Sequence, residues 1–317
     1  MPEFDTELLA PDEGGLARAA AIWRAGGLVA LPTETVYGLA ADARQGRAVA
    51  RIFASKERPR FNPLIVHLPG AAAARQLAEW PRDAARLADA FWPGPLTLVL
   101  PLRPGHGLSP LVTADLPTVA LRVPAHDVAR AALHAFGGPL AAPSANPSGR
   151  ISPTTAAHVL AGLGGRIEAV IDGGPCPVGV ESTIVSLAGD PALLRPGGVP
   201  AEAVEAALGR PLAPPEAAAP DRPGAPGQLA SHYAPRAGVR LDATERRPGE
   251  VLLGFGAIAG DLTLSASGDL AEAAANLFGH LHALDARGQP IAVAPVPETG
   301  LGRAINDRLR RAAAPRP

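Results

Sequence analysis

Residues 211–235, PLAPPEAAAPDRPGAPGQLASHYAP, interrupt an otherwise regular chain with proline, alanine and glycine. Proline fixes φ and removes a backbone donor, so such a run neither continues a helix nor enters a central strand. It reads as an extended, semi-rigid linker, and any fold must therefore be built in two parts. The expected organisation is a large unit over residues 1–209, a linker over 210–236 and a small unit over 237–317. A length of 317 residues accommodates one large domain and one small one.

On both sides of the linker, apolar runs of strand length alternate with alanine-rich stretches of helical period, the pattern of an α/β protein. Residues 28–31, 64–68, 96–102, 119–123, 140–142, 170–172, 182–187 and 193–195 read as strands. Residues 45–55, 82–91, 127–136 and 201–208 read as helices, and Ala48, Val49, Ile52 and Phe53 share one face of the first. Ser152 followed by Pro153 reads as the N-cap and first position of a further helix. In the small unit, residues 251–255, 262–264 and 291–293 read as strands, with helices at 270–284 and 302–311.

Composition removes several function classes. Hydrophobic residues make up 47% of the chain, which suits a globular protein. No apolar run approaches the roughly 20 residues of a membrane span. The N-terminal MPEFDTELLAPDE is acidic, without the basic and apolar regions of a signal peptide. A lone Cys176 leaves no internal disulfide and no cysteine-based zinc cluster. A cytoplasmic protein with no membrane partner is expected. A net charge of −1 and an aromatic content of 4% argue against nucleic-acid binding as the main role. There is no GxxxxGK[ST], HExxH or GxSxG, and the histidines show no metal-ligand spacing. The near-dinucleotide pattern from Gly254 to Ala259 runs into another β-like stretch, so it reads as a glycine-rich turn.

Lys56 is the sole lysine among 29 basic residues. Its ammonium is a compact point charge, whereas arginine presents a planar fork, so the two are not interchangeable where one charge meets one point. Lys56 stands in a run with Glu57, Arg58 and Asn62, ahead of an apolar strand ending at His67. Four further polar loops follow or precede strands: Pro32 to Leu39, with Thr33, Glu34 and Thr35; Pro117 to Pro124, with Thr118 and Arg122; Ala141 to Gly149, with Ser144 and Asn146; and Gly179 to Val185, with Ser182, followed closely by Arg195. Open α/β sheets bind ligands at such strand ends. Loops carrying Lys56, Arg58, Arg122 and Arg195 describe a pocket for a polyanion such as a nucleoside triphosphate.

In order along the chain, PTETVYGLAADA, KERPRFNPLIVHL, FWPGPLTLVLP, TVALRVP, APSANPSG, ESTIV and LRPGG closely resemble the YrdC/Sua-type threonylcarbamoyl-AMP synthases. The match extends from about Gly14 to Gly209, and the linker with its small α/β unit resembles the long form of that family. The resemblance implies a twisted, open mixed sheet flanked by helices, plus a small Rossmann-like C-terminal domain. It implies that L-threonine, bicarbonate and ATP give threonylcarbamoyl-adenylate and pyrophosphate. Partner transferase proteins then modify tRNA beside the anticodon.

By the same resemblance, Lys56 and Arg58 form a catalytic KxR element, and Thr35, His67, Arg122, Ala142 and Ser182 hold threonine. Arg58, Asn62, Thr118, Ser144, Asn146, Ser152, Arg195 and Tyr233 would contact ATP, with magnesium accompanying its phosphates and no protein-held metal. The linker departs from the family's SPGMxYxHYAP pattern, because residues 225–230 read APGQLA. A non-catalytic double-stranded RNA-binding module is the alternative from another class, and weak RNA contact is compatible with either. A carbamoyl-adenylate enzyme of hydrogenase maturation is a further rival, disfavoured by the lack of cysteine-rich zinc elements.

Overall fold

The computed structural model describes residues 4–59, 61–213 and 231–315. Among these, the large unit holds strands β1 (Glu7–Leu9), β2 (Val29–Leu31), β3 (Gly38–Asp42), β4 (Ile65–His67) and β5 (Leu96–Pro101). It continues with β6 (Thr118–Arg122), β7 (Leu140–Ala141), β8 (Ala169–Ile171), β9 (Thr183–Ser186) and β10 (Ala192–Arg195). They form one sheet in the order β1-β8-β2-β3-β7-β4-β6-β5-β9-β10. The sheet is mixed: β4 runs parallel to β6, and β7 lies antiparallel to both β3 and β4.

The central strands are apolar except at their ends because both faces of the sheet are covered. Successive side chains point to opposite faces, and the two cores divide accordingly. Ala30, Leu39 and Ala41 enter one core, whereas Val29, Leu31 and Ala40 enter the other. The helix Gly46–Lys56 lays Ala48, Val49, Ile52 and Phe53 on the first core. Burial of side chains such as Ile52 and Phe53 contributes about 1.5–3 kcal/mol each. On the second core sit helices Glu13–Arg24 and Asp127–Phe136, where Trp23 also donates its indole N–H to the Ala40 carbonyl at 3.0 Å.

Most expected elements lie within one or two residues of their observed positions. The helix after Ser152 is an exception. It starts at Ala156, with Thr155 as the N-cap accepting from the His158 N–H at 3.3 Å. Ser152 is instead fully buried, with its hydroxyl on Glu181. β1, β3, a short strand at Val239–Arg240 and the helices Glu13–Arg24, Ala71–Leu77 and Pro110–Thr113 are not among the expected elements. In β3, small residues hide a strand that only its pairing with β2 and β7 defines.

In the small unit, β11 (Val239–Arg240), β12 (Val251–Gly254), β13 (Leu262–Thr263) and β14 (Ile291–Val293) form an all-parallel sheet in the order β11-β14-β12-β13. The segment after β12 is the expected turn, with Gly256 at φ 57° and a bridge between Phe255 and Ile258. Helices Leu270–Asp285 and Gly302–Ala313 complete the unit. Its core is not its own alone. Val36, Ile151 and Val180, from three loops of the large unit, are buried in it together with Tyr233.

The units approach closely at Gly179, which has φ +74°; a Cβ there would sit 2.3 Å from the Ala274 carbonyl oxygen. Left-handed backbone and backbone-to-backbone contact both demand glycine at this position. Gly179→Ala is expected to lower stability by about 3 kcal/mol. Urea unfolding monitored by circular dichroism checks this.

Candidate functional site

At the end of β2 a turn is built from a hydroxyl. Thr33 Oγ1 accepts from the N–H groups of Thr35 and Val36, each at 3.2 Å, and donates to the Val36 carbonyl. This turn sets Glu34 and Thr35 against Arg122 at the end of β6. Arg122 donates to Thr35 Oγ1 at 2.9 Å and pairs with Glu34 at 2.7 Å, all three side chains being buried. His67 stands beside Arg122, in register on the parallel strand β4. Burial first, and then the Arg122 charge, holds His67 down at about 3, so its ring is neutral. Its Nδ1 is buried without a hydrogen-bond partner among the described residues.

A second set of groups follows from the end of the helix Gly46–Lys56. Glu57 adopts a left-handed conformation (φ 54°, ψ 41°), which closes the helix. This places Glu57 outward, 2.9 Å from Arg166, and Arg58 inward. The acid between the two cations therefore avoids the pocket through a left-handed cap. Arg58 donates to the Asn62 and Pro63 carbonyls at 3.4 and 3.1 Å, and burial lowers it to about 10. Asn62 is fully buried, and neither atom of its amide has a partner among the described residues. Buried polar groups are normally satisfied, so this amide is suited to a ligand.

Lys56 is 1% exposed, and its ammonium donates to the carbonyls of Ser144 and Asn146. Burial, and then the charge of Arg58, lowers it well below the usual lysine range. The lone lysine thus ties down the loop after β7, at a point where two carbonyls converge. On the far side, Arg195 donates to the Ser182 carbonyl at 2.8 Å and its hydroxyl at 3.2 Å, while Ser182 and Thr97 share a 2.7 Å hydrogen bond.

These walls surround a narrow, partly open cleft of about 50 Å³. Of the residues expected to hold threonine, Thr35, His67, Arg122, Ala142 and Ser182 all line it. Of those expected to contact ATP, Arg58, Ser144, Arg195 and Tyr233 line it too. Ser152 reaches it only through Glu181, Asn62 through Arg58, and Lys56 through Ser144. Asn146 donates its amide to the Pro147 and Arg150 carbonyls and lines a neighbouring groove. Thr118 opens β6, half-buried and four residues before Arg122, and is not on the wall of this cleft.

Sequence reasoning gave no role to Glu34, Glu181 or His232, although all three stood in quoted motifs. His232 and Tyr233 are buried at the cleft, and Tyr233 holds a left-handed φ of 62°. Such backbone strain in a non-glycine residue persists where surrounding packing imposes it. Residues 225–230, where the linker departs from the family pattern, lie outside the described residues.

The donor set does not suit a protein-held magnesium ion. Among the described residues no three His, Cys, Asp or Glu side chains converge. Glu181 on the cleft wall and Glu34 behind it are each paired with an arginine. Nor is any helix among those residues long and apolar enough to cross a membrane.

Fold and cleft together define an α/β protein that gathers cations, hydroxyls and a neutral imidazole at strand ends. A family profile for Sua5, YciO and YrdC, described as "Telomere recombination", matches residues 21–197. A second, described as "Threonylcarbamoyl-AMP synthase, C-terminal domain", matches residues 199–314. The threonylcarbamoyl-AMP synthase of Bacillus subtilis is 40% identical, covering 98% of this chain and 96% of its own. That of Pyrococcus abyssi is 41% identical over 95% of each. The crystal structure of P. abyssi Sua5 complexed with L-threonine superposes with a TM-score of 0.89, at 40% identity and 97% coverage of both chains. The chain belongs to the Sua5/YciO/YrdC family, in the form that carries the C-terminal domain.

His67 and His232 are both held at about 3 by burial, far below the value of about 6.5 for an unfolded histidine. Below pH 6.5 the unfolded chain takes up protons that the folded one refuses, so stability is lost as pH falls. Each residue contributes a slope of about 1.4 kcal/mol per pH unit, hence about 2 kcal/mol between about pH 6.5 and pH 5. His67→Gln is expected to remove about half of that combined loss, as read by urea unfolding at about pH 7 and about pH 5.

Proposed function

We propose that the protein is a threonylcarbamoyl-AMP synthase, joining L-threonine, bicarbonate and ATP into threonylcarbamoyl-adenylate with release of pyrophosphate. One observation carries this reading. The five residues that the family resemblance assigns to threonine and four of those it assigns to the nucleotide, Arg58, Ser144, Arg195 and Tyr233, line one cleft, in a chain about 40% identical to such synthases over nearly its whole length. That identity favours an enzyme over a non-catalytic RNA-binding module.

The threonine amine and bicarbonate combine with loss of water to give a carbamate. A carbamate oxygen then forms a bond to the α-phosphorus of ATP, and the bond from that phosphorus to the bridging oxygen breaks to free pyrophosphate. Three anions must be brought together, so the site's task is to offset repulsion and hold the attack in line. Arg122 clamps the threonine carboxylate by a bidentate pairing, with Glu34 and Thr35 fixing the plane of its guanidinium. The neutral His67 and the Ser182 hydroxyl orient the substrate's polar groups. Arg58 and Arg195 meet the phosphates, and a phosphate reaching the Asn62 amide satisfies it.

Lys56 acts in this scheme by holding the Ser144–Asn146 backbone and adding positive charge behind it, which an arriving polyanion favours. Magnesium enters only as the companion of the ATP phosphates. The strap bearing His232 and Tyr233 closes one wall and shields a labile carbamate from water. In this reading the product passes to transferase proteins that modify tRNA, a role that suits a cytoplasmic protein.

The purified protein should release pyrophosphate only when threonine, bicarbonate and ATP are all present; release without threonine would contradict the proposal. Lys56→Arg retains the charge but cannot place a planar guanidinium where two carbonyls converge. It is expected to lose activity by about 100-fold with an unchanged circular dichroism spectrum. A fully active Lys56→Arg enzyme would remove Lys56 from the scheme.

A further inference from the structure

The C-terminal helix Gly302–Ala313 sends one side chain into the catalytic unit. Arg308 is fully buried, and its Nε donates to Glu181 Oε2 at 2.9 Å across the boundary between the units. Its Nη1 donates to the Pro196 carbonyl and to Asp307, and its guanidinium carbon lies 5.5 Å from the centre of the Tyr233 ring. The other carboxylate oxygen, Glu181 Oε1, accepts from the Ser152 hydroxyl at 2.5 Å. The Ser152 carbonyl also lies 3.2 Å from His282 Nε2, on the helix Leu270–Asp285. Ser152 is therefore gripped at both its hydroxyl and its carbonyl by connections leading to the C-terminal unit.

We propose that Arg308 is a positioning residue for the nucleotide half of the cleft, through which the C-terminal domain fixes Glu181, Ser152 and the Tyr233 strap as one assembly. This rests on the reading of Ser152 and Tyr233 as nucleotide contacts. A carboxylate buried at the cleft wall without a partner would be strongly disfavoured, and one free to rotate would leave Ser152 unaligned. The guanidinium removes both problems: its Nε–H donates to one carboxylate oxygen of Glu181, while Nη1, anchored on the Pro196 carbonyl and Asp307, fixes the orientation of that donor. Burial raises the Glu181 pKa, but the charges of Arg308 and Arg195 and the Ser152 hydrogen bond outweigh it, so the net shift is downward and the group is ionised. Of the residues assigned to threonine, Thr35 and Arg122 are joined to each other and to Glu34, while Ser182, although next to Glu181, is held by Thr97 and Arg195; none of these bonds involves Arg308. The proposal therefore separates the two substrates.

The test is steady-state pyrophosphate release by full-length Arg308→Met, Arg308→Lys and the Arg308→Met/Glu181→Gln double variant. The double variant removes both buried charges together and so folds without an orphaned carboxylate; it decides the matter if Arg308→Met does not fold. The expected result is an ATP KM raised about 10-fold in Arg308→Met and at least about 5-fold in the double variant, with threonine KM within about twofold of wild type. Arg308→Lys, which restores the charge but not the fork, should fall between Arg308→Met and wild type. A folded double variant with wild-type ATP KM, or an equal rise in both KM values, overturns the proposal. Failure of the wild-type protein itself to release pyrophosphate from the three substrates would instead overturn the synthase reading on which it rests.

Discussion

Burying a guanidinium is costly unless it is paired and hydrogen-bonded, and this chain buries Arg58, Arg122, Arg195 and Arg308 at or beside one cleft. Two buried carboxylates, Glu34 and Glu181, stand against them. The surrounding loops are shaped by the need to satisfy these groups. The Thr33 turn presents Thr35 and Glu34 to Arg122, and the loops around Asn62 and Ser182 present carbonyls to Arg58 and Arg195. A cleft with this surplus of fixed positive charge is matched to substrates that bring several negative charges at once.

The sheet makes such a concentration of charge tolerable. Strands apolar on both faces supply two cores, and their ends deliver the polar groups to a single edge. β4 and β6, parallel neighbours, bring His67 and Arg122 into register even though 55 residues separate them in sequence. The low dielectric that strengthens the Arg122–Glu34 pair also keeps His67 neutral. One physical setting thus produces both the anion clamp and the uncharged hydrogen-bonding group beside it.

The two sheets are separate, yet their cores are not. Val36, Ile151 and Val180 lie next to cleft residues and are buried against the C-terminal helices. The C-terminal domain thereby holds up the loops from which the site is made. Tyr233 belongs to the same core and to the cleft wall, which explains how a non-glycine residue keeps a left-handed backbone there.

The sequence alone determined the α/β class, most strands and helices, and the loops that carry the site, because hydrophobic period and polar strand ends are local signals. The order of the motifs was dense enough to identify the family before any geometry. It also singled out Lys56 for the catalytic KxR element, while its tie to the Ser144–Asn146 backbone is visible only in the structure. Tertiary structure decided what each charge faces. Ser152 looked like a helix cap because serine before proline has that local meaning, but a buried carboxylate about 30 residues away claims its hydroxyl. Arg308 gave no signal at all, being one arginine among several in an amphipathic terminal helix. Its role follows from a contact 127 residues distant in sequence. Pairing of buried charges depends on which elements pack together, and no local pattern carries that information.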